Sequence, residues 1–268
     1  MRRLFHFYIN SSIHVSFAVL ALAYVTAIKF GIELDIRFIA FLFFGTITAY
    51  NFVKYAEVAG LNHRSLARSL KEIQFFSILS LVGLIISVFW INLEVILVCI
   101  FLGLLTLFYA IPLFFKDKNL RSISGIKIFI IAFVWAGVTV ILPILQNELN
   151  ITQEIWWIVL QRFFYVLAVM IPFEIRDLKY DHSALKTLPQ QFGVLRTKLV
   201  GYTIVIFFFA ISLMLYFNLP KHLLIDGIVA LIVSFAIGYT TVNKSRFYSS
   251  FWVESIPILW VLLLIFGL

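Results

Sequence analysis

Nine apolar runs constrain this chain more than any other feature. Each is near the roughly 20 residues that let a helix cross the core of a bilayer. They lie at about 11–31, 36–56, 73–91, 94–115, 127–146, 154–173, 198–217, 222–242 and 251–268. Unbroken runs of this kind exclude a membrane β-barrel, whose strands alternate apolar and polar side chains. Only 13% of residues are charged and 63% are hydrophobic, whereas a soluble domain carries about 25% charged residues. The fold class is therefore all-α: a polytopic membrane protein with nine transmembrane helices in one domain, 1–268. The first run follows Met-Arg-Arg and carries Ala-Leu-Ala at 21–23, like a signal peptide. Eight more runs follow, so it is read as a retained span.

Charge then sets the expected orientation. With the N-terminus in the cytoplasm, seventeen of the 21 Lys and Arg residues fall at cytoplasmic span ends or loops, and Lys29, Arg37 and Lys221 fall outside. Arg162 lies within a span. This asymmetry is the positive-inside pattern. It accounts for much of the net charge of +8 without nucleic acid, for which no binding motif is present. Long polar stretches at about 57–72, 116–126 and 174–197 all fall on the cytoplasmic side, so any chemistry belongs there. The single cysteine, Cys99, lies in an apolar run and supports no disulfide framework.

The acidic residues mark where that chemistry sits. Glu174, Asp177 and Asp181 follow the sixth run at i, i+3 and i+7, one face of a helix. Arg176 and Lys179 are expected to point elsewhere. Three carboxylates crowded near lipid repel one another, and a hard divalent ion such as Mg²⁺ relieves the conflict while bridging to phosphate oxygens. The plain alternative is a solvated helix end.

The text around these acids, E-x-x-D-x-x-x-D followed by Lys186-Thr187-Leu188-Pro189 and Gly193, resembles the second aspartate-rich motif of the UbiA superfamily of intramembrane prenyltransferases. The resemblance implies a UbiA-like bundle and Mg²⁺-dependent transfer of an isoprenyl group. The donor would be a polyprenyl diphosphate. The acceptor would be a lipophilic, membrane-accessible molecule, often aromatic or a quinone precursor. It also implies an integral protein of a bacterial cytoplasmic membrane, in contact with membrane lipids, with its site loops facing the cytoplasm. By the same likeness Asp177 and Asp181 are catalytic and metal-binding, and Glu174 is a metal ligand. Asn51, Arg64, Lys116 and Lys127 would contact diphosphate. Tyr109 and Pro112 resemble the end of the family's fourth span. Arg64, in HRSLARS, resembles the Arg of a family R-P-x-A-x-G loop, with Ser65 in the place of Pro.

One motif departs from the family. Where its first aspartate motif reads approximately N-D-x-x-D-x-x-x-D, residues 51–59 read NFVKYAEVA. Asn51 is kept, but Phe52, Tyr55 and Ala59 stand at the acid positions. Glu57 is off register, about 120° around the helix from Asn51. Lys54 lies three residues past Asn51 on the same face. An ammonium there would replace part of a missing metal charge, with Lys127 and Arg64. A noncatalytic relative that binds an isoprenoid lipid or a partner protein is the alternative that this motif favours. A transporter would want paired ionisable residues near the midplane, where only Arg162 approaches. Glu148, Glu154 and Glu254 are its candidate partners. Glu254 also lies near the cytoplasmic end of the ninth span, where the family often has an acid. Pro112, Pro143 and Pro172 are candidate kink sites.

Overall fold

In the computed structural model, residues 2–61, 68–110, 125–179 and 186–267 are described. Among them there is no strand, and nine helical stretches are long and apolar enough to cross a membrane. A short amphipathic helix, α1 (Arg2–Asn10), precedes them. The spans are then α2 (Ile13–Phe30), α3 (Ile36–Leu61), α4 (Arg68–Val88), α5 (Leu93–Ala110), α6 and α7 (Ile126–Ala136, Leu142–Gln146), α8 (Gln153–Asp177), α9 (Leu188–Tyr216), α10 (Pro220–Tyr239) and α11 (Ile256–Phe266). Single π-helical turns at Gly137–Ile141 and Tyr248–Val253 join α6 to α7 and lead into α11.

Two apolar clusters hold the bundle. One gathers α8, α9, α10 and α11 around Tyr165, Phe208, Val229 and Trp260. The other gathers α2, α3, α5 and α7 around Phe38, Val95 and Ile144. α2 touches both, because it packs against α11 on one side and α3 on the other. Side chains such as Phe75, Ile85, Phe101 and Leu231 remain exposed on the rim, as a lipid-facing surface requires.

Pro143 explains the π turn before it. Its ring nitrogen cannot donate to the carbonyl one turn earlier. The Thr139 carbonyl instead accepts from Thr26 Oγ1 of α2 at 2.7 Å, so the kink becomes a contact between helices.

The sequence-based boundaries need two corrections. α8 runs through Asp177, so the first two acids belong to the helix and not to a loop. The seventh span begins at Leu188, ten residues before the apolar run. There Thr187 precedes the helix, its N–H donates to Gln190 Oε1 at 3.0 Å, and Pro189 sits in the first turn, a combination that starts a helix irrespective of hydropathy. Gly193 interrupts that helix with φ 76° and ψ 164°, a conformation essentially confined to glycine.

Candidate active site

One end of the bundle collects most of the residues singled out above. α6 begins after Gly125, whose φ is 73°. Lys127, in its first turn, reaches across to the last turn of α8. Its Nζ lies 2.9 Å from Glu174 Oε1, and the two side chains are only 13% and 3% exposed. A cation and a carboxylate far apart in sequence thus meet in a nearly dry setting, where charges act strongly.

Asp177 ends α8. Arg176 was expected to point away from the acidic face, and it does not. Its Nε and Nη2 donate to Asp177 Oδ1 and Oδ2 at 2.6 and 2.8 Å. Adjacent residues on a regular helix diverge, but at the final turn the long guanidinium folds back over the neighbouring carboxylate. Arg176 Nη1 also donates to Ser250 Oγ at 3.0 Å, tying α8 to the π turn ahead of α11.

The third wall is α3. Lys54 Nζ donates to Ser12 Oγ at 2.9 Å, and Ser12 Oγ donates to Asn51 Oδ1 at 2.8 Å. Asn51 Nδ2 donates to the Ser11 carbonyl at 3.1 Å and to Ser77 Oγ at 2.8 Å. Asn51 is buried, and its amide is engaged in joining α3, α4 and the α1–α2 corner. It therefore stands behind Lys54. Ser12 holds a left-handed conformation, φ 66°, at that corner, which delivers its hydroxyl between the two residues.

Tyr50 and Trp135 connect α3 to α6, the indole Nε1 donating to the phenol oxygen at 2.7 Å. Lys54 and Arg176 are both within electrostatic reach of Glu254. Glu254 therefore belongs to this end of the bundle, away from Arg162. Tyr8 of α1 is close by, hydrogen-bonded to His14 Nδ1 at 2.8 Å. Burial first, and then the charge of Glu254, push the Tyr8 phenol above its ordinary pKa.

Asp181, Arg64, Lys116 and Pro112 lie outside the described residues. Lys127 with Glu174, and Lys54 with Asn51, are brought together as local groups. Sequence reasoning missed Ser12 and Tyr50, neither of which bears a charge or motif that separates it from ordinary packing.

Among the described residues, the carboxylates at the end of α8 each already face a cation, Glu174 the Lys127 ammonium and Asp177 the Arg176 guanidinium. Their oxygens are of the hard type that Mg²⁺ takes, and a metal there would have to displace or share those cations. On α3, Phe52 is partly exposed and Tyr55 donates its hydroxyl to the Asn10 carbonyl at 3.1 Å. Neither is a ligand for such an ion, and the Lys54 ammonium stands on the same helix between them. Among the described residues, no three acidic, histidine or cysteine side chains gather as a metal cage.

Solved structures share this architecture. A UbiA homologue from Aeropyrum pernix K1 superposes with TM-score 0.67 at 15% identity, covering 94% of this chain and 97% of its own. One from Archaeoglobus fulgidus, bound to GPP and Mg²⁺, gives 0.65 at 16% identity over 97% and 98%. A digeranylgeranylglyceryl phosphate synthase gives 0.59 at 16% identity over 100% and 99%. This chain has the UbiA fold. No protein-family model and no curated protein matches its sequence. The UbiA fold accounts for the nine spans and for the full-length correspondence with those neighbours.

Proposed function

We propose that this chain is an intramembrane prenyltransferase of the UbiA superfamily, using one Mg²⁺ and a lysine where its relatives use two metal-binding motifs. The observation that carries the reading is the Lys127–Glu174 pair, which joins the start of α6 to the end of α8 in a fold shared with a homologue bound to GPP and Mg²⁺. The site end would face the cytoplasm, a reading that the distribution of Lys and Arg supports.

The substrate would be a polyprenyl diphosphate, its headgroup between α3, α6 and α8 and its tail among the apolar spans. Mg²⁺ bound to Glu174 and Asp177, with Asp181, would supply positive charge to the diphosphate oxygens. The chain's own groups do the rest. Lys127 turns from Glu174 to the headgroup as it enters. Lys54, held in place by Ser12 and through it by Asn51, gives the second cationic contact from α3, and Arg64 and Lys116 would add to it by family likeness. Asn51 is thus a positioning residue. Cleavage of the prenyl C1–O bond leaves the electron pair on diphosphate, where these cations stabilise it. The allylic cation-like carbon gains support from the aromatic faces of Tyr50 and Trp135. A nucleophilic carbon or oxygen of a lipophilic acceptor then bonds to C1, and its displaced proton leaves to a base at the site.

A second reading is a binder without turnover. The pairing of Asp177 with Arg176, and the absence of acids at Phe52 and Tyr55, favour it. Incubating membranes with labelled prenyl diphosphate and Mg²⁺ separates the two. Release of diphosphate with a prenylated lipid supports the enzyme; retention of intact substrate supports the binder; uptake of intact substrate into vesicles supports neither.

A further inference from the structure

A second polar cluster lies at the opposite end of the bundle, and the proposed reaction uses none of it. Lys29, in the last turn of α2, pairs with Asp226 of α10, Nζ to Oδ2 at 2.8 Å, with side chains 1% and 0% exposed. Asp226 also accepts from Gln161 Nε2 at 2.9 Å and from Trp260 Nε1 at 3.1 Å. Its two oxygens are therefore well occupied.

Arg162 follows Gln161 on α8 and is fully buried. Its Nη1 donates to the Leu22 carbonyl at 2.7 Å and to Thr139 Oγ1 at 3.2 Å, and its Nη2 to Thr26 Oγ1 at 3.3 Å. All three acceptors are neutral. None of the acids that sequence reasoning offered as a partner pairs with it. Glu154 is exposed two turns away on α8, roughly 12 Å along the axis at 1.5 Å per residue. Glu148 lies at the loop before α8, and Glu254 belongs to the other end.

The charge does not balance. Lys29 and Asp226 offset each other, and a guanidinium does not lose its proton in a protein. One positive charge is left inside a packed bundle, where an unmatched ion is strongly unfavourable. Three donors beside it have no partner, Arg162 Nε, the Tyr165 hydroxyl and the Tyr216 hydroxyl, against a single unpartnered acceptor, Gln161 Oε1. Tyr165 and Tyr216 are 1% and 3% exposed. Tyr165, Arg162 and Lys29 gather around one indole, and Lys29 links it to Tyr216. Tyr165 lies 4.9 Å from the Trp260 ring centroid, Arg162 lies 5.3 Å over it, and Lys29 lies 5.0 Å from Trp260 and 4.3 Å from Tyr216.

Unpartnered donors with one unmatched positive charge, closed in by aromatic walls, have the chemistry of a site for a small monovalent anion. Water would satisfy the donors and leave the charge. A phosphate would overshoot the charge. We propose that Arg162, Tyr165 and Tyr216 bind a halide-class anion in this half of the bundle, and that the anion stabilises the packing of α2, α8, α9 and α11.

The test uses the full-length protein in detergent, dialysed into sodium gluconate and titrated with sodium chloride, bromide or iodide at constant ionic strength. Thermal unfolding is the readout. The proposal predicts a saturable rise in Tm with halide that gluconate does not give. Tyr165→Phe and Tyr216→Phe, which remove one hydroxyl each and keep the ring, should weaken the half-saturating halide concentration about tenfold, as loss of a hydrogen bond to an ion does. Arg162→Met should abolish the effect. If that variant does not fold, the two tyrosine variants decide. Equal unfolding in halide and gluconate, or a halide effect unchanged in both tyrosine variants, overturns the proposal and leaves a water-filled cluster. The measurement needs no prenyl substrate, so its failure is separate from failure of the transferase reading.

Discussion

The Lys127–Glu174 pair allows folding and binding roles to be separated by experiment. Removing one member of a buried pair strands the other's charge and typically costs about 3–5 kcal/mol. The two side chains are unequally covered, 13% exposed for Lys127 and 3% for Glu174. Lys127→Met, which strands the drier carboxylate, should therefore lose more stability than Glu174→Gln, which strands an ammonium with some access to water. The double variant strands neither charge. It should recover part of the loss, with a coupling energy of about 1–3 kcal/mol. Thermal unfolding in one detergent, for wild type and the three variants, measures this cycle. Activity should not follow stability. The double variant still lacks a headgroup cation, and loss of one charged contact to diphosphate is worth about 1.5–3 kcal/mol, a rise in KM of roughly ten- to hundredfold. Additive stability losses would refute the coupling. A double variant with wild-type KM would refute the role of Lys127 in binding.

Further outcomes test neighbouring parts of the account. Lys54→Met should raise the KM for prenyl diphosphate about tenfold or more with little change in Tm, because Lys54 already has access to water; steady-state kinetics check both halves. Asp181→Ala should abolish Mg²⁺-dependent transfer while the protein still folds, read by product formation and size-exclusion profile. Mg²⁺ alone should shift Tm little, since Glu174 and Asp177 already have cationic partners, and should shift it clearly with a nonhydrolysable prenyl diphosphate analogue. Gly193→Ala should cost about 1–3 kcal/mol from backbone strain, because no atom lies within 4 Å of an added Cβ; its measure is Tm.

The spans were legible because lipid demands long apolar helices, and hydropathy reads that directly. The start of α9 was not, because a capped and proline-initiated helix does not need an apolar first turn. The acidic motif was legible as a pattern, and family likeness singled out Lys127 as a diphosphate contact, but its pairing with Glu174 joins two helices far apart in sequence and left no local signal. The bond from Arg176 to Asp177 was hidden because ideal helix geometry sends neighbouring residues apart, while a helix end lets a long side chain fold back. Arg162 was visible as a buried charge, yet its partners were misjudged. A search among acids misses hydroxyls and a carbonyl supplied by distant helices. The Lys29–Asp226 pair was hidden because Lys29 reads as a charge at a span end, although an aspartate within the apolar run of α10 was a usable signal.

The most direct measurement is diphosphate release by the purified protein given a labelled prenyl diphosphate and an acceptor-containing lipid extract, with Mg²⁺ or with chelator. Release that requires Mg²⁺, accompanies a prenylated product and disappears in Asp181→Ala is the result predicted. Tight binding of the intact diphosphate without release, or release that persists in chelator and in the variant, would contradict a metal-assisted transferase at the end of α8.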